Sequence, residues 1–313
     1  MKILKNVATY KSNKKTFVTI GTFDGVHLGH QKVIKNLVES AHLTNTTSVL
    51  LTFFPHPRMV LQNDTTIKLI NTINERIQIL EKTGLEVLII QEFTEEFSNY
   101  TALDFVKNIL VDTLHIDTLI IGYDHKFGKN RKGDFQQLES YGKKFGFNVQ
   151  EISKKEIANF TISSTKIRKA LELGEIEKVN NYLGYAYMLT GTVVQGKNLG
   201  EKIGYPTANI EIKDSYKLLP KTGAYIVKSN INNLKIFGMM NIGYRPTVQG
   251  KNQTIEVHFF DFNGNLYDTI IQIDVLSFLR EEQKFDSVES LKNQLAKDKE
   301  TSLAIINGLL FDS

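Results

Sequence analysis

The chain has 313 residues, 41% of them hydrophobic and 23% charged, with a net charge of +4; this is an ordinary globular composition with room for about two domains. The absence of cysteine excludes disulfides, zinc–thiolate sites, iron–sulfur clusters and thiol nucleophiles. Lysines and arginines are scattered rather than gathered into a nucleic-acid arm, no run approaches the ~18 apolar residues needed to span a bilayer, and Met1–Asn6 lacks an apolar signal core; the expectation is a cytoplasmic protein that binds neither nucleic acid nor membrane, with room left for a weak homo-oligomer.

The first part of the chain alternates apolar runs with helical patterns. Phe17–Gly21 reads as a strand, and Gly29–Ala41 carries Val33, Ile34, Leu37, Val38 and Ala41 at helical spacing. Ser48–Phe54 is a second strand, ending at Pro55-His56-Pro57. A helix over Ile73–Lys82 precedes the strand Val87–Ile90, a helix over Ala102–Leu110 precedes Thr118–Gly122, and Gly146–Ile152 is a further strand. Such alternation predicts a parallel α/β sheet, with ligands at the carboxyl ends of its strands. After about Tyr187 the pattern changes. Leu189–Val194, Ala224–Lys228, Lys235–Met240, Thr254–Phe260 and Thr269–Phe278 are strand-like, with Asn and Gly at turns such as Asn263-Gly264-Asn265. Closely spaced strands predict a small barrel or sandwich. Asp286 and Glu289 form a capping-box pattern before a final helix with Val288, Leu291 and Leu295 on one face. The expected domains are residues 1–185 and 186–313.

The segment Gly21–His30 follows the first strand and opens the first helix. A helix N-terminus presents N–H groups and the positive end of its dipole, which suits phosphate. Glycines there let a polyphosphate approach the backbone, and His27 and His30, three apart, can donate hydrogen bonds to charge building on a transferring phosphate. Alone, a His-x-x-His pair is an ordinary surface spacing, and no third ligand nearby suggests zinc. Its setting between strand, glycine loop and helix points to phosphate chemistry.

The string Gly21-Thr-Phe-Asp-Gly-Val-His-Leu-Gly-His30 resembles the His-x-Gly-His signature of the nucleotidylyltransferase superfamily and, in its full length, bacterial FAD synthetases. Three further strings resemble that family: Thr52–Pro57, Gly122–Gly128, and Ile162–Arg168, the last a Ser-Ser-Thr-x-Ile-Arg phosphate loop opening a helix with Ile167, Ala170 and Leu171. The resemblance implies an FMN adenylyltransferase with His27 and His30 catalytic, and with Gly21, Phe23, Asp24, Gly29, Asp124, Ser163, Ser164, Thr165 and Arg168 around ATP and its phosphates.

Gly191–Asn198 nearly spells a P-loop, but Asn198 stands where Ser or Thr is needed and no helix is expected after it. Gly196–Asn209 instead resembles the riboflavin kinase signature, ending in Gly204-Tyr-Pro-Thr-Ala-Asn209. Pro220–Tyr225, Asn241–Thr247, Glu256–Asp261 and Phe278–Phe285 resemble further kinase strings in family order. The resemblance implies ATP at Gly196, Lys202, Gly204 and Thr207, Mg²⁺ held by Thr207 and Asn209, flavin near Asn241 and Arg280, and Glu256 as the base that takes the riboflavin 5′-hydroxyl proton. Thr207 and Asn209 offer neutral oxygens, which suit a Mg²⁺ that keeps several waters. One departure is Glu201 where the family carries Arg after the glycine; Lys197 or Lys202 would have to supply the charge.

The whole chain thus resembles the bifunctional bacterial riboflavin kinase/FAD synthetase family: an α/β Rossmann-like nucleotidylyltransferase domain followed by a mainly β-barrel kinase domain with a C-terminal helix. ATP is the co-substrate, riboflavin and FMN are substrates, and FMN and FAD are products. The alternative is a single-activity adenylyltransferase with a degenerate flavin-binding C-terminal domain; intact Thr207, Asn209 and Glu256 argue against it. A flavin or nucleotide sensor without turnover is opposed by the presence of His27, His30 and Glu256. An aminoacyl-tRNA synthetase is opposed by the short chain and the lack of a Lys-Met-Ser-Lys-Ser loop.

Overall fold

Every residue of strand β2 (Thr16–Ile20) is buried, as expected of a strand covered on both faces. In the computed structural model, which describes residues 1–62, 66–122, 127–128, 133–152, 162–196, 199–247 and 250–311, β2 lies inside a six-stranded parallel sheet of order β1-β4-β3-β2-β5-β6. Its companions are β1 (Lys2–Leu4), β3 (Thr47–Phe54), β4 (Val87–Glu92), β5 (Ile116–Gly122) and β6 (Asn148–Ile152). The chain progresses from β2 through β3 to β4 on one side and from β5 to β6 on the other. The order therefore reverses beside β2, and a ligand crevice is expected at its carboxyl end.

The helices of this first unit, Met1–Ser164, are α1 (Leu28–Leu43), α2 (Pro57–Leu61), α3 (Ile73–Glu81), α4 (Glu95–Ser98), α5 (Ala102–Asp104) and α6 (Phe135–Phe145). Helix α1 buries Val33, Ile34, Leu37 and Ala41, the stripe read from its periodicity. Helix α3 starts at a complete capping box between Thr72 and Glu75. The predicted helix over Ala102–Leu110 is corrected: only its first turn is α, and Phe105–Val111 is a π-helix. That widened segment buries Phe105, Val106, Ile109 and Leu110 in the core with Val18, Ile20, Leu119 and Ile121 of the sheet. Helix α6, not foreseen, is capped by Asp134 at one end and by left-handed Gly146 at the other.

The second unit, Thr165–Ser313, is a closed six-stranded barrel of order β10-β11-β8-β7-β12-β9 with all neighbours antiparallel. Its strands are β7 (Tyr187–Val194), β8 (Ala208–Glu211), β9 (Gly223–Ile231), β10 (Leu234–Thr247), β11 (Gly250–Phe259) and β12 (Ile270–Arg280). Fully buried Leu189, Tyr225, Val227, Val257, Ile273 and Val275 fill the interior, alternating with outward residues along each strand. Closure leaves no open sheet edge. Helices α7 (Ser164–Leu173) and α8 (Ile176–Leu183) lead into it. Asn180 on α8 donates to the carbonyl of Val275 at 3.0 Å and accepts from the Tyr187 amide at 2.7 Å, so α8 is tied to the barrel. A one-turn helix, α9 (Leu199–Lys202), follows the near-P-loop string where none was expected. Strand β8 was also unforeseen, being only four residues long.

The C-terminal helix α10 (Val288–Phe311) forms as expected, but its start differs. Ser287 Oγ accepts from the Ser290 amide at 3.1 Å, and Ser290 Oγ accepts from the Ser287 amide at 3.3 Å. Ser287 and Ser290 thus replace Asp286 and Glu289 as the reciprocal pair, one residue later. Val288 is consequently 56% exposed, while Leu295 and Ile306 pack on Ile226, Met239 and Phe260 of the barrel's outer face. The helix is also fastened by charge. Arg280 donates through Nε to both oxygens of Asp298 at 3.0 Å and through Nη2 at 2.7 Å, with the Asp298 side chain only 5% exposed. Removing one partner of such a pair strands the other, at a cost of about 3 kcal/mol. Asp298→Ala is therefore expected to lower stability by that order in urea unfolding followed by far-UV circular dichroism; a change below about 0.5 kcal/mol, the range of a neutral surface substitution, would show that apolar contacts alone hold α10.

Candidate active sites

The loop leaving β2 is strained and heavily anchored. Phe23, Gly25 and Val26 have φ of +47°, +88° and +34°, and for a β-branched valine that is an outlier which persists only when its surroundings enforce it. The Asp24 carboxylate, 1% exposed, accepts from the amides of Ile70 at 3.0 Å and Asn71 at 3.3 Å and lies 3.7 Å from Arg76 Nη2. Arg76 Nη1 donates to the Thr22 carbonyl at 2.8 Å. Gln31 donates to the Val26 carbonyl at 2.9 Å, and Ser164 Oγ donates to the Asp24 carbonyl at 2.9 Å. A Cβ at Gly25 would fall 2.9 Å from Ile70 Cδ1, so both its space and its backbone angle require glycine.

This loop delivers the two histidines. They do not share a helical face: His27 is the N-cap of α1, and its Nδ1 accepts from the His30 amide at 3.3 Å. Because Nδ1 accepts, the ring proton of neutral His27 sits on Nε2. The two rings stack with centroids 3.7 Å apart, and Phe23 tilts against His30 at 4.9 Å. Burial, against the pull of Asp24, lowers the His27 pKa to about 4. Burial, reinforced by His27 and Arg76, holds His30 well below the usual histidine range. Both imidazoles are thus neutral at pH 7, and His30 Nδ1 is buried with no hydrogen-bond partner. A pair of neutral N–H donors beside a helix N-terminus can bind an anion without carrying a charge of their own.

The remaining expected residues are placed as follows. Gly21 continues the ladder, its amide donating to the Leu51 carbonyl at 3.1 Å, and a Cβ there would lie 3.1 Å from the Phe23 ring. Gly29 is buried in the first turn of α1. Ser163 precedes α7 and Ser164 opens it; Thr165 and Arg168 continue that helix within the second unit. Asp124 lies outside the described residues, as does most of the Gly122–Gly128 string. The sequence reading did not single out an aromatic cluster in this unit. Phe53, Phe93, Phe97, Tyr100, Phe105 and Phe127 run ring to ring at 5.4–6.3 Å. Phe53 is the penultimate residue of β3, Phe93 follows β4 and Phe127 lies beyond β5, so the cluster borders the carboxyl ends of the strands.

In the barrel, register does the assembling. Asn241 on β10 lies directly opposite Glu256 on β11, and Glu256 directly opposite Asn209 on β8. Directly opposed residues share a face. Their neighbours Ile242, Ile255, Val257 and Ile210 are buried and point inward, so Asn241, Glu256 and Asn209 form an outward row of two carboxamides flanking a carboxylate. Gly196 backs onto this row: a Cβ there would stand 2.1 Å from Asn209 Nδ2. A Cβ at Gly243 would fall 2.5 Å from Glu282 Oε1 and 3.0 Å from Asn241 Nδ2, so Glu282, which the sequence reading passed over, joins the row. The Thr207 hydroxyl lies 3.4 Å from where a Cβ of Gly200 would stand. Gly204, with φ of +84°, lines a cavity of about 600 Å³ with Tyr205, His258, Phe262, Lys292 and Lys299. Lys202 is exposed on α9, and Lys197 is outside the described residues. Arg280 directs its Nε and Nη2 to Asp298 and its Nη1 to the Glu281 carbonyl.

Among the described residues no group of three His, Asp or Glu side chains is arranged to hold a metal, and none of their helices is long and apolar enough to cross a membrane. The Thr207 hydroxyl and the Asn209 carboxamide oxygen are hard, neutral donors of the kind Mg²⁺ takes together with waters and substrate phosphates.

Comparison with known proteins finds two family matches in sequence. A family model described as FAD synthetase matches residues 9–166, and one described as riboflavin kinase matches residues 183–306. A bifunctional riboflavin kinase/FMN adenylyltransferase of Buchnera aphidicola subsp. Schizaphis graminum is 38% identical over 96% of this chain and 97% of its own. One of Haemophilus influenzae is 38% identical over 93% and 94%. A crystal structure described as a macrolide-efflux protein from Streptococcus pneumoniae is 30% identical, with a TM-score of 0.86 over 96% of this chain and 97% of its own.

The neutral histidine pair carries a consequence for stability. An unfolded chain protonates histidine near pH 6.5, whereas folded His27 resists to about 4. Between those values the unfolded state binds more protons, so the His27 contribution is whole above about pH 6.5 and is lost as pH falls through the window, by up to about 3 kcal/mol. Asparagine at this position keeps an N-cap acceptor and does not titrate. His27→Asn should fold at pH 7 and lose stability less steeply between pH 6.5 and 4.5; an unchanged slope in urea titrations would place the acid sensitivity elsewhere.

Proposed function

The chain belongs to the bifunctional riboflavin kinase/FMN adenylyltransferase family, and from that premise we propose which of its residues carry each of the two activities. The enzyme phosphorylates riboflavin to FMN with ATP and adenylylates FMN to FAD with a second ATP. The single-activity alternative is not favoured, since the riboflavin kinase model matches residues 183–306. The chemistry divides near residue 185, between Arg168 and Gly196; by packing, α7 and α8 go with the barrel.

For FAD synthesis, an oxygen of the FMN phosphate attacks the α-phosphorus of ATP and pyrophosphate leaves. The observation that carries the assignment is the stacked, neutral pair His27 and His30 at the start of α1. His27 Nε2–H is the donor to charge building on the α-phosphate, and the N-terminus of α1 with Gly21, Phe23 and Gly29 shapes the nucleotide site. Ser163, Ser164, Thr165, Arg168 and Asp124 are assigned to ATP and its phosphates on the strength of their strings, and Asp24 acts through the backbone it holds. The half-buried members of the aromatic cluster, Phe53, Phe93 and Phe97, are the apolar surface for the flavin ring.

For FMN synthesis, Glu256 takes the proton of the riboflavin 5′-hydroxyl, whose oxygen attacks the γ-phosphorus of ATP as ADP leaves. Asn241 and Arg280 are assigned to the flavin, with Glu282 beside Asn241; Arg280 also holds α10 through Asp298. Gly196, Lys202, Gly204 and Thr207 border ATP, with the cavity at Gly204 as its seat. Mg²⁺ would be held by Thr207 and Asn209 and would neutralise phosphate charge. We further infer a cytoplasmic enzyme that meets only small molecules and self-associates weakly at most, in keeping with its cysteine-free composition.

Base catalysis is typically worth about 10²–10⁴ in rate, so Glu256→Gln should cut FMN synthesis by that order while FAD synthesis from supplied FMN continues. Unchanged FMN output, separated chromatographically, would remove Glu256 from the chemistry. Conversely, His30→Ala should lower FAD synthesis by about 10²–10³, the loss typical of one transition-state donor, and leave FMN synthesis intact. Near-normal FAD output would dismiss the histidine pair.

A further inference from the structure

We propose that Arg76, on α3, is a positioning residue for FAD synthesis that sets the conformation of the histidine loop from beneath; this rests on the reading of His27 and His30 given above. Nothing in the sequence pattern marks Arg76: it sits in an ordinary amphipathic helix, between Glu75 and Ile77. The structure nonetheless buries it to 1% exposure, and a buried arginine without function or compensation is rare.

Its contacts explain the burial. Nη1 holds the Thr22 carbonyl at 2.8 Å, and Nη2 faces the Asp24 carboxylate at 3.7 Å. Thr22 and Asp24 bracket left-handed Phe23, and Gly25 and Val26 follow directly. One planar fork therefore spans the start of the strained turn, a task for which its fixed geometry suits arginine better than lysine. The same carboxylate is tied to the Ile70 and Asn71 amides just before the Thr72 cap of α3. Loop and helix start are thus fixed by one ion pair. Thr52 Oγ1 adds a second donor to the Thr22 carbonyl at 3.2 Å. Phe23 and His27 are the residues whose rings meet His30, so relaxing the turn shifts the donor pair rather than the bulk of the sheet. A shift of about an ångström in such donors is felt in the chemical step.

The test uses the full-length enzyme with supplied FMN, ATP and Mg²⁺. Arg76→Met leaves Asp24 buried without its cation and puts the fold at risk, so Arg76→Lys, which keeps the charge and loses the fork, and the charge-neutral double variant Asp24→Asn/Arg76→Met are measured alongside. Variants that retain FMN synthesis and the far-UV spectrum of the parent are compared with His30→Ala. The expected result is a roughly 10- to 100-fold fall in kcat for FAD synthesis in Arg76→Lys, with KM for ATP and FMN within about two-fold and FMN synthesis unchanged. A kcat within two-fold of the parent in both Arg76→Lys and the double variant overturns the inference, as does a loss confined to KM. If His30→Ala itself leaves FAD synthesis intact, the reading of the histidines fails instead, and the two failures are told apart by that one comparison.

Discussion

A turn that an unrestrained chain would avoid sits at the centre of the first unit. Three of the four residues Phe23–Val26 take left-handed backbone angles, each costing of the order of 1–3 kcal/mol outside glycine. The turn persists because a carboxylate and a guanidinium, both almost wholly buried, hold it from within while a serine hydroxyl and a glutamine amide hold its carbonyls. Everything chemical in this unit follows from the turn. It starts α1 at the reversal point of the sheet, makes His27 a cap rather than a helical residue, and stacks it on His30 where burial keeps both rings neutral at pH 7.

The barrel solves a similar problem by other means. Its chemical groups come from three strands, and no local turn gathers them. The gathering agent is the hydrogen-bond register, which sets Asn241, Glu256 and Asn209 side by side. Glycines do the rest by omission: Gly196 and Gly243 leave the space that Asn209 and Glu282 occupy. The outer layer is completed by α10, joined to β12 through Arg280 and Asp298.

Much of this was legible in the sequence, for reasons that differ by residue. Strands β2 to β5 announced themselves as apolar runs because both faces are covered, whereas β1, three residues long with two of them exposed, left no such trace. His27, His30, Thr207, Asn209 and Glu256 stood inside compact strings whose residue types already suit phosphate and Mg²⁺. Arg76 was illegible because its partners Thr22 and Asp24 lie about fifty positions away, and a helix periodicity does not record which charged residue turns inward. Glu282 was illegible because the space it occupies is defined by the missing side chain of Gly243. The π-helix at Phe105–Val111 escaped because its residues fit an α pattern equally well. The Ser287–Ser290 cap displaced the Asp286–Glu289 pattern by one residue, within the usual uncertainty of helix ends.

The row on β10, β11 and β8 also bears on how this gene can change. Side chains along a strand alternate faces, so deleting a single residue from β11 ahead of Glu256 would turn the carboxylate toward Val257's side of the barrel and present an aliphatic chain to the phosphates. Insertions at the turns, as around Asn263–Asn265, leave that parity untouched. Length is constrained by two separate demands: the loop from Gly196 to Thr207 and the turn at Asn263 border the cavity at Gly204, while within the strands a change in length alters which side of the wall Glu256 is on.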